Sequence, residues 1–285
     1  MGSSSDNKLI APFLRTHRVS GNWKIDDLVR ALAALEAFDV AVEKKIKVTR
    51  IIAIVCFVAA ILPAFFGFFY ALPGIAPGII SIALFFRYRK FDVDNEVRNF
   101  AKPVVDMLYH DVKAGSEVAF ELALLPLDHQ SYLKSKSPQY AAGNYPKCVD
   151  FNYGRDLLSM KMSLMDGNKL MITAEQTLKK TQKTKRNPRG KTKTKYKYAK
   201  RSDVSVVLKV NPEKFKAKKP QISGGGSPDK PHITVDGADG AWVLNMAYTN
   251  KPKGADLNAM MLEPMVLLEG LTRMYAALRP AQATK

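Results

Sequence analysis

The sequence predicts an α+β membrane protein, in which a two-pass transmembrane helical hairpin carries a cytoplasmic domain of antiparallel β-strands flanked by amphipathic helices. Three observations predict this fold class. Residues 51–86 contain no charged residue and no histidine. Basic residues cluster on both sides of that apolar block. After residue 117, apolar and polar residues alternate between turn signals, as they do in half-buried strands.

The composition indicates a folded and strongly basic protein. Of the 285 residues, 47% are hydrophobic and 25% are charged, which is typical of a folded chain rather than a disordered one. The 44 basic and 26 acidic residues leave a net charge of +18, which predicts attraction to nucleic acid or to an anionic membrane surface. With only two cysteines, the sequence excludes a disulfide framework and a cysteine-rich metal site.

Residues 1–50 are predicted to form a polar segment followed by an amphipathic helix. Asn22 is suited to cap a helix that begins near Trp23. Apolar residues then recur every three to four positions, which predicts a single apolar stripe. Its members are Ile25, Leu28, Leu32, Leu35, Phe38, Val42 and Ile46.

The apolar block is predicted to form a transmembrane helical hairpin over residues 51–88. A helix needs about 20 residues to cross a bilayer, so the block is too long for one simple span and long enough for two short ones. Two Pro-Gly pairs, Pro73-Gly74 and Pro77-Gly78, predict the turn between the arms. A re-entrant loop and a buried hairpin of a soluble protein are the alternatives.

The charges around the block predict its topology. Basic residues precede it at Lys44, Lys45, Lys47 and Arg50, and follow it at Arg87, Arg89 and Lys90. Because basic residues favour the cytoplasmic side, both flanks lie on one side only if the chain crosses an even number of times. We therefore expect an integral protein of a bacterial inner membrane, with the lipid bilayer as a partner and with both termini in the cytoplasm.

Residues 91–215 are predicted to form the basic α+β cytoplasmic domain. A helix is expected over residues 94–112, bent or started by Pro103, followed by a strand from residue 117 and a loop over residues 128–145. Asp166-Gly167-Asn168 predicts a hairpin turn between two strands. A further turn near Gly190 leads into alternating residues that extend to Val210, so three or four antiparallel strands are expected.

The remaining residues are predicted to pack on this domain. Residues 216–231 contain a Gly-Gly-Gly-Ser-Pro run and read as a flexible linker. Residues 232–285 are expected to form a β-hairpin and a C-terminal amphipathic helix over residues 256–278, kinked at Pro264.

The basic segment of residues 179–201 is the candidate binding site, because it contains no acidic residue and its residues alternate. Period two places Tyr196 and Tyr198 on one face of a strand and lysines on the other. The predicted anion-binding residues are Lys183, Lys185, Arg186, Arg189, Lys191, Lys193, Lys195 and Lys197. Anionic lipid is the favoured polyanion, since the expected membrane tether brings the lysines close to headgroups. Nucleic acid and acidic protein stay open but are not favoured, and lysines that only protect a sheet edge are the alternative.

These features predict a non-enzymatic, membrane-anchored binding or scaffold protein whose basic domain engages an anionic partner. One alternative is a subunit of an oligomeric membrane assembly, such as a channel or a secretion-type complex, which would make the chain a homo-oligomer. A second is a membrane-bound enzyme of unknown reaction. Asp106 and His110 stand four residues apart on a predicted helix, but no catalytic motif accompanies them. No catalytic residue, metal site or cofactor is predicted.

Overall fold

The computed structural model describes residues 4–64, 68–113, 115–186, 190–217, 231–238, 241–251 and 262–281. The chain divides into two compact units. The first comprises Met1–Thr16 and Arg30–Val93, and the second comprises His17–Val29 and Asp94–Lys285.

The first unit is built from three helices, α1 (Ser4–Thr16), α2 (Ile25–Ala64) and α3 (Phe68–Arg89). The first residues of α2 belong to the second unit. Most of the predicted apolar stripe is buried, including Leu32, Leu35 and Val42. The helix starts at Ile25 rather than near Trp23, because Trp23 lies in a strand that pairs with residues far along the chain.

The predicted transmembrane hairpin is wrong. Among the described residues, none of the helices contains an apolar stretch of the length that a membrane crossing requires. The apolar block is divided between α2, which ends at Ala64, and α3, which begins at Phe68. The integral membrane protein and its inner-membrane location are therefore wrong as well.

The residues assigned to the turn and to the membrane flanks take other positions. Pro73, Gly74, Pro77 and Gly78 lie inside α3 rather than in a turn. The four basic residues Lys44, Lys45, Lys47 and Arg50 lie within α2, Arg87 and Arg89 lie in the last turn of α3, and Lys90 follows it. Apolar side chains of both helices are exposed, with Ile51, Val58 and Ile80 each 60% exposed.

The second unit is built on one large antiparallel sheet. Its strands are β1 (Arg18–Lys24), β2 (Glu117–Ala123), β3 (Leu133–Lys136), β4 (Tyr140–Ala142), β5 (Tyr145–Ser163), β6 (Lys169–Arg186), β7 (Thr192–Lys209), β9 (His232–Ala238) and β10 (Ala241–Asn250). The strand order is β1-β2-β5-β6-β7-β10-β9, with β3 and β4 also paired to β5. Two short strands, β8 (Phe215–Ala217) and β11 (Leu278–Pro280), form a separate pair.

One face of the sheet is buried because apolar and polar side chains alternate along its strands, which places the apolar ones on the same side. In β6, the buried side chains Leu170, Ile172, Ala174 and Leu178 share one face with Val206 of β7. Helical elements add further buried side chains to this unit. They are a π-helical turn (Val97–Ala101), α4 (Lys102–Leu108) and α5 (Pro264–Ala276).

Two local predictions need correction, namely the loop over residues 128–145 and the helix kink at Pro264. Two short strands, β3 and β4, occupy much of residues 128–145, where a loop was expected, because they pair with the extended strand β5. Pro103 lies in the first turn of α4, and Pro264 is the first residue of α5 rather than a kink within it. Most of the predicted linker, residues 218–230, lies outside the described residues.

A buried polar cluster fixes the sheet to the preceding segment. Arg155 is 5% exposed and forms an ion pair with Asp94, with 2.7 Å between Nη1 and Oδ2. Its Nε and Nη2 donate to Gln176 Oε1 at 3.0 and 2.6 Å. The guanidinium also donates to the Leu125 carbonyl. Because a buried charge is costly unless it is paired and hydrogen-bonded, these contacts specify how β5 and β6 meet residues 94–125.

Candidate functional site

Strands β6 and β7 extend well past their neighbour β10. Each is 18 residues long, and β7 pairs with β10 only through Ser202 to Lys209. Beyond that point, Lys179 to Arg186 of β6 pairs with Thr192 to Ala199 of β7. We call these two segments the outer ribbon. On its other side, Lys179 to Thr184 of β6 pair with Lys147 to Asn152 of β5, so this part of β6 is interior. Lys185 and Arg186 extend beyond the paired part of β5.

The register of the outer ribbon gathers five lysines on one face. Lys183 lies opposite Lys195, Lys185 lies opposite Lys193, and Lys197 lies opposite Thr181. Residues two apart in a strand point to the same side, so the five side chains form a continuous surface. We call it the lysine face, and it comprises Lys183, Lys185, Lys193, Lys195 and Lys197. The predicted segregation of lysines from tyrosines across the two strands is therefore confirmed, whereas their binding role stays a prediction.

The opposite face of the outer ribbon carries the tyrosines. The rings of Tyr196 and Tyr198 stack with 6.4 Å between their centroids. Lys180 Nζ lies 5.4 Å from the first centroid and 5.9 Å from the second. These contacts cover the tyrosine rings from within the ribbon, and they hold β7 in register with β6.

Of the three remaining predicted residues, the two that the structure describes do not join the lysine face. Arg186 lies opposite Thr192, on the tyrosine side, and its Nε donates to the Gly190 carbonyl oxygen at 3.0 Å. Lys191 is exposed and directly precedes β7. Arg189 lies outside the described residues.

Ion pairing distinguishes the lysine face from the lysines next to it. Lys179 Nζ lies 2.8 Å from Asp150 Oδ2, and Lys180 Nζ lies 3.1 Å from Asp128 Oδ2. Within the part of the chain that the structure describes, no lysine of the lysine face forms an ion pair with a carboxylate. The positive charge of this face is therefore not neutralised by those residues.

Asp150 anchors the base of the lysine face, and sequence analysis missed it. Besides the ion pair with Lys179, its Oδ1 accepts hydrogen bonds from Thr181 at 2.7 Å and from Tyr140 at 3.0 Å. Burial alone would raise the pKa of the Asp150 carboxyl, but the hydrogen bonds from Lys179, Thr181 and Tyr140 outweigh burial and lower it. Asp150 therefore stays ionised and joins β4, β5 and β6 where the outer ribbon begins.

An aromatic ring lies beneath two lysines of the lysine face. Lys183 Nζ and Lys185 Nζ are 5.7 and 5.5 Å from the Tyr145 ring centroid. A ring face attracts cations without neutralising them, so it holds the two ammonium groups in place with their charge intact. The sequence offered no signal for this contact, because Tyr145 lies at the start of β5 and reaches β6 only through strand pairing.

The chain matches no known protein-family model, no curated protein and no solved structure. Its function therefore has to be argued from the residues themselves. The open alternative of an enzyme finds no support at Asp106 and His110. Asp106 forms an ion pair with Lys102 at 2.8 Å, and the His110 ring lies against Tyr109 with 5.2 Å between centroids. Among the described residues, no group of three His, Cys, Asp or Glu side chains is placed to hold a metal ion.

Proposed function

We propose that the protein binds nucleic acid through the lysine face, independently of base sequence. The observation that supports this most directly is the opposition of Lys183 to Lys195 and of Lys185 to Lys193, with no carboxylate partner among the described residues. Like charges at about 7 Å repel by roughly 0.6 kcal/mol in water. A row of phosphates would turn this repulsion into attraction.

Protection of a sheet edge does not account for the arrangement. Lysines on an edge strand hinder pairing with another chain, and this explanation fits Lys193, Lys195 and Lys197 in β7. It does not fit Lys183, because at this position β6 lies between Cys148 of β5 and Lys195 of β7 and is not an edge. Charge on both the interior strand and the edge strand is what a binding surface requires.

The geometry favours nucleic acid over an anionic lipid surface. The preference for lipid depended on the transmembrane tether, which the structure contradicts. Lysines two apart in a strand are spaced by about 6.7 Å, which is twice the 3.4 Å rise per nucleotide in one strand of B-DNA. Because the lysine face has only point charges, it would contact phosphates rather than read bases.

The test compares two triple variants of the full-length chain. The first is Lys193→Gln, Lys195→Gln and Lys197→Gln. The matched control is Lys161→Gln, Lys169→Gln and Lys209→Gln, which removes the same charge from exposed lysines in the inner part of the same sheet. Binding to a labelled 20-base-pair duplex would be measured by fluorescence anisotropy.

We expect the first variant to weaken duplex binding by at least about tenfold at 100 mM salt. Each phosphate contact that is lost leaves counterions condensed on the duplex, which binding by the wild type would release. The control variant should weaken it by less than about threefold. Equal losses would mean that the overall charge, not the lysine face, attracts the duplex. If vesicles containing phosphatidylserine bind more tightly than the duplex and only the first variant loses them, the ligand is lipid and the nucleic-acid assignment is wrong.

A further inference from the structure

A second candidate site lies far along the sheet from the outer ribbon, in a cavity of about 480 Å³. Its walls come from α4 and the residues after it, from the turn between β5 and β6, and from α5. We call it the α5 cavity. Its volume falls within the range of about 300–1,000 Å³ that small-molecule sites occupy.

The walls of the α5 cavity are apolar and preformed. Leu108, Leu164, Leu170, Leu267 and Leu271 line it, and each is less than 10% exposed. Four of these leucines belong to helices or strands, and Leu164 forms a β-bridge with Val112, so their positions do not depend on a ligand. Such walls would favour the burial of an alkyl chain, since apolar area removed from water is stabilising.

The polar end of the cavity is acidic. The Tyr275 hydroxyl donates to Asp166 Oδ2 at 2.7 Å, and Asn168 Nδ2 donates to the same oxygen at 2.7 Å. Burial raises the pKa of the Tyr275 hydroxyl, and the neighbouring Asp166 carboxylate adds to the effect, so the hydroxyl stays a donor. Asp166 is thereby fixed in orientation at the edge of the cavity.

Asp111 supplies a second carboxylate to the lining. Within the described residues, its side chain accepts no hydrogen bond, and its backbone carbonyl is the group that accepts from the Met165 amide at 2.8 Å. Among the described residues that line the cavity there is no lysine, arginine or histidine. In a chain with a net charge of +18, a described lining whose charged residues are Asp111 and Asp166 reverses the local sign of charge.

We propose that the α5 cavity binds a small amphiphilic cation, with its alkyl chain among the leucines and its ammonium group at Asp111 and Asp166. Charge complementarity selects the head group, because Asp111 and Asp166 would repel a carboxylate head and a neutral head would gain no ion pair with either of them. The leucine walls select the apolar body. This site is independent of the lysine face and does not require that the protein bind nucleic acid.

The experiment uses isothermal titration of the full-length chain with octylammonium chloride, sodium octanoate and 1-octanol, which share one chain and differ in head charge. We expect saturable, one-to-one binding of octylammonium, at least about tenfold tighter than that of octanoate. Asp111→Asn should weaken octylammonium binding about tenfold and change octanol binding less than twofold. The matched control is Asp106→Asn, which removes a carboxylate from α4 outside the cavity and should leave both unchanged.

Met165→Lys tests the same site by adding a positive charge at the entrance of the cavity. Met165 is 62% exposed, so its substitution does not disturb the core. It should weaken octylammonium binding as Asp111→Asn does. The proposal is overturned if octylammonium does not saturate, if octanoate binds as tightly, or if Asp111→Asn and Asp106→Asn behave alike. It is also overturned if the cavity's residues instead mediate association of two copies, seen as a doubled mass that Met165→Lys abolishes.

Discussion

Lys183 of β6 and Lys195 of β7 are directly opposed on the same face of the outer ribbon. Opposite positions in an antiparallel pair place the two Cβ atoms about 5 Å apart, so the two lysine side chains project side by side into solvent. Like charges placed directly opposite each other are destabilising. A substitution in this pair should therefore change the stability of the ribbon and its proposed binding of nucleic acid in opposite directions.

The substitution Lys195→Glu should stabilise the protein while it weakens nucleic-acid binding. It replaces a like-charged cross-strand pair with an oppositely charged one, which contributes roughly 0.2–1 kcal/mol to the free energy of unfolding. Urea denaturation measures the first effect and duplex titration the second. If binding and stability both fell, the defect would be structural and the variant would not support the proposed interface.

Asp150→Asn should destabilise the protein near neutral pH. The change removes the ion pair with Lys179 and weakens the bonds from Thr181 and Tyr140, at a cost of about 1–2 kcal/mol. Asp106→Asn is the control, and the loss of its helical pair with Lys102 should cost less than about 0.5 kcal/mol. Denaturant unfolding at pH 7 gives both values.

The effect of Asp150→Asn should also depend on pH. Because folding lowers the pKa of Asp150, the carboxylate contributes stability above its unfolded pKa of about 3.9, and that contribution is lost as the pH falls through the folded pKa. The difference in unfolding free energy between wild type and variant should therefore be constant from pH 7 to about pH 5 and shrink below about pH 4. A difference that grew as the pH fell would contradict this assignment.

Arg155→Met should be far more damaging than a matched surface change. Removing the guanidinium leaves the largely buried Asp94 carboxylate and Gln176 without their partner, at a cost of about 3–5 kcal/mol. The control is Arg201→Met, whose ion pair with Asp203 is half exposed and should contribute far less to the free energy of unfolding. Chemical denaturation in one buffer gives the free energy of unfolding of both variants. Equal losses of that free energy would contradict a stabilising role for the buried contacts of Arg155.

Gly270→Ala tests the close approach of α5 to β10. A Cβ at Gly270 would lie 1.8 Å from Met246 Sδ, so the buried methionine would have to move. We expect a loss of about 1–3 kcal/mol, despite the ~1 kcal/mol by which alanine favours a helix over glycine. In a Met246→Ala background the same change should be neutral or stabilising. Additive losses in the double variant would show that the two residues do not compete for space.

Strand periodicity was the most reliable guide to the candidate site. The alternation of Lys193, Lys195 and Lys197 with Tyr196 and Tyr198 is a local property, so the two faces of β7 were predictable from sequence. The contacts of Asp150 and Tyr145 were not, because β5 reaches β6 through a register that no local pattern specifies. For the same reason the short strands β3 and β4 were expected to be loop.

The transmembrane prediction failed for a different physical reason. Sequence analysis expected one short span in each arm of the apolar block, but among the described residues neither α2 nor α3 is long and apolar enough to cross a bilayer. The block is shared between α2 and α3, and residues 44–50 of α2 place basic side chains in the same helix as its apolar end. The two Pro-Gly pairs were also misread, because α3 continues through them.

The salt dependence of duplex binding tests the central claim most directly. The slope of log affinity against log salt concentration falls by about 0.9 for each phosphate contact removed. Between 50 and 200 mM salt, the variant with glutamine at positions 193, 195 and 197 should therefore show a slope shallower than that of wild type by about 2.7. The variant with glutamine at positions 161, 169 and 209 should keep the wild-type slope. A wild-type slope in the first variant would contradict phosphate binding by the lysine face.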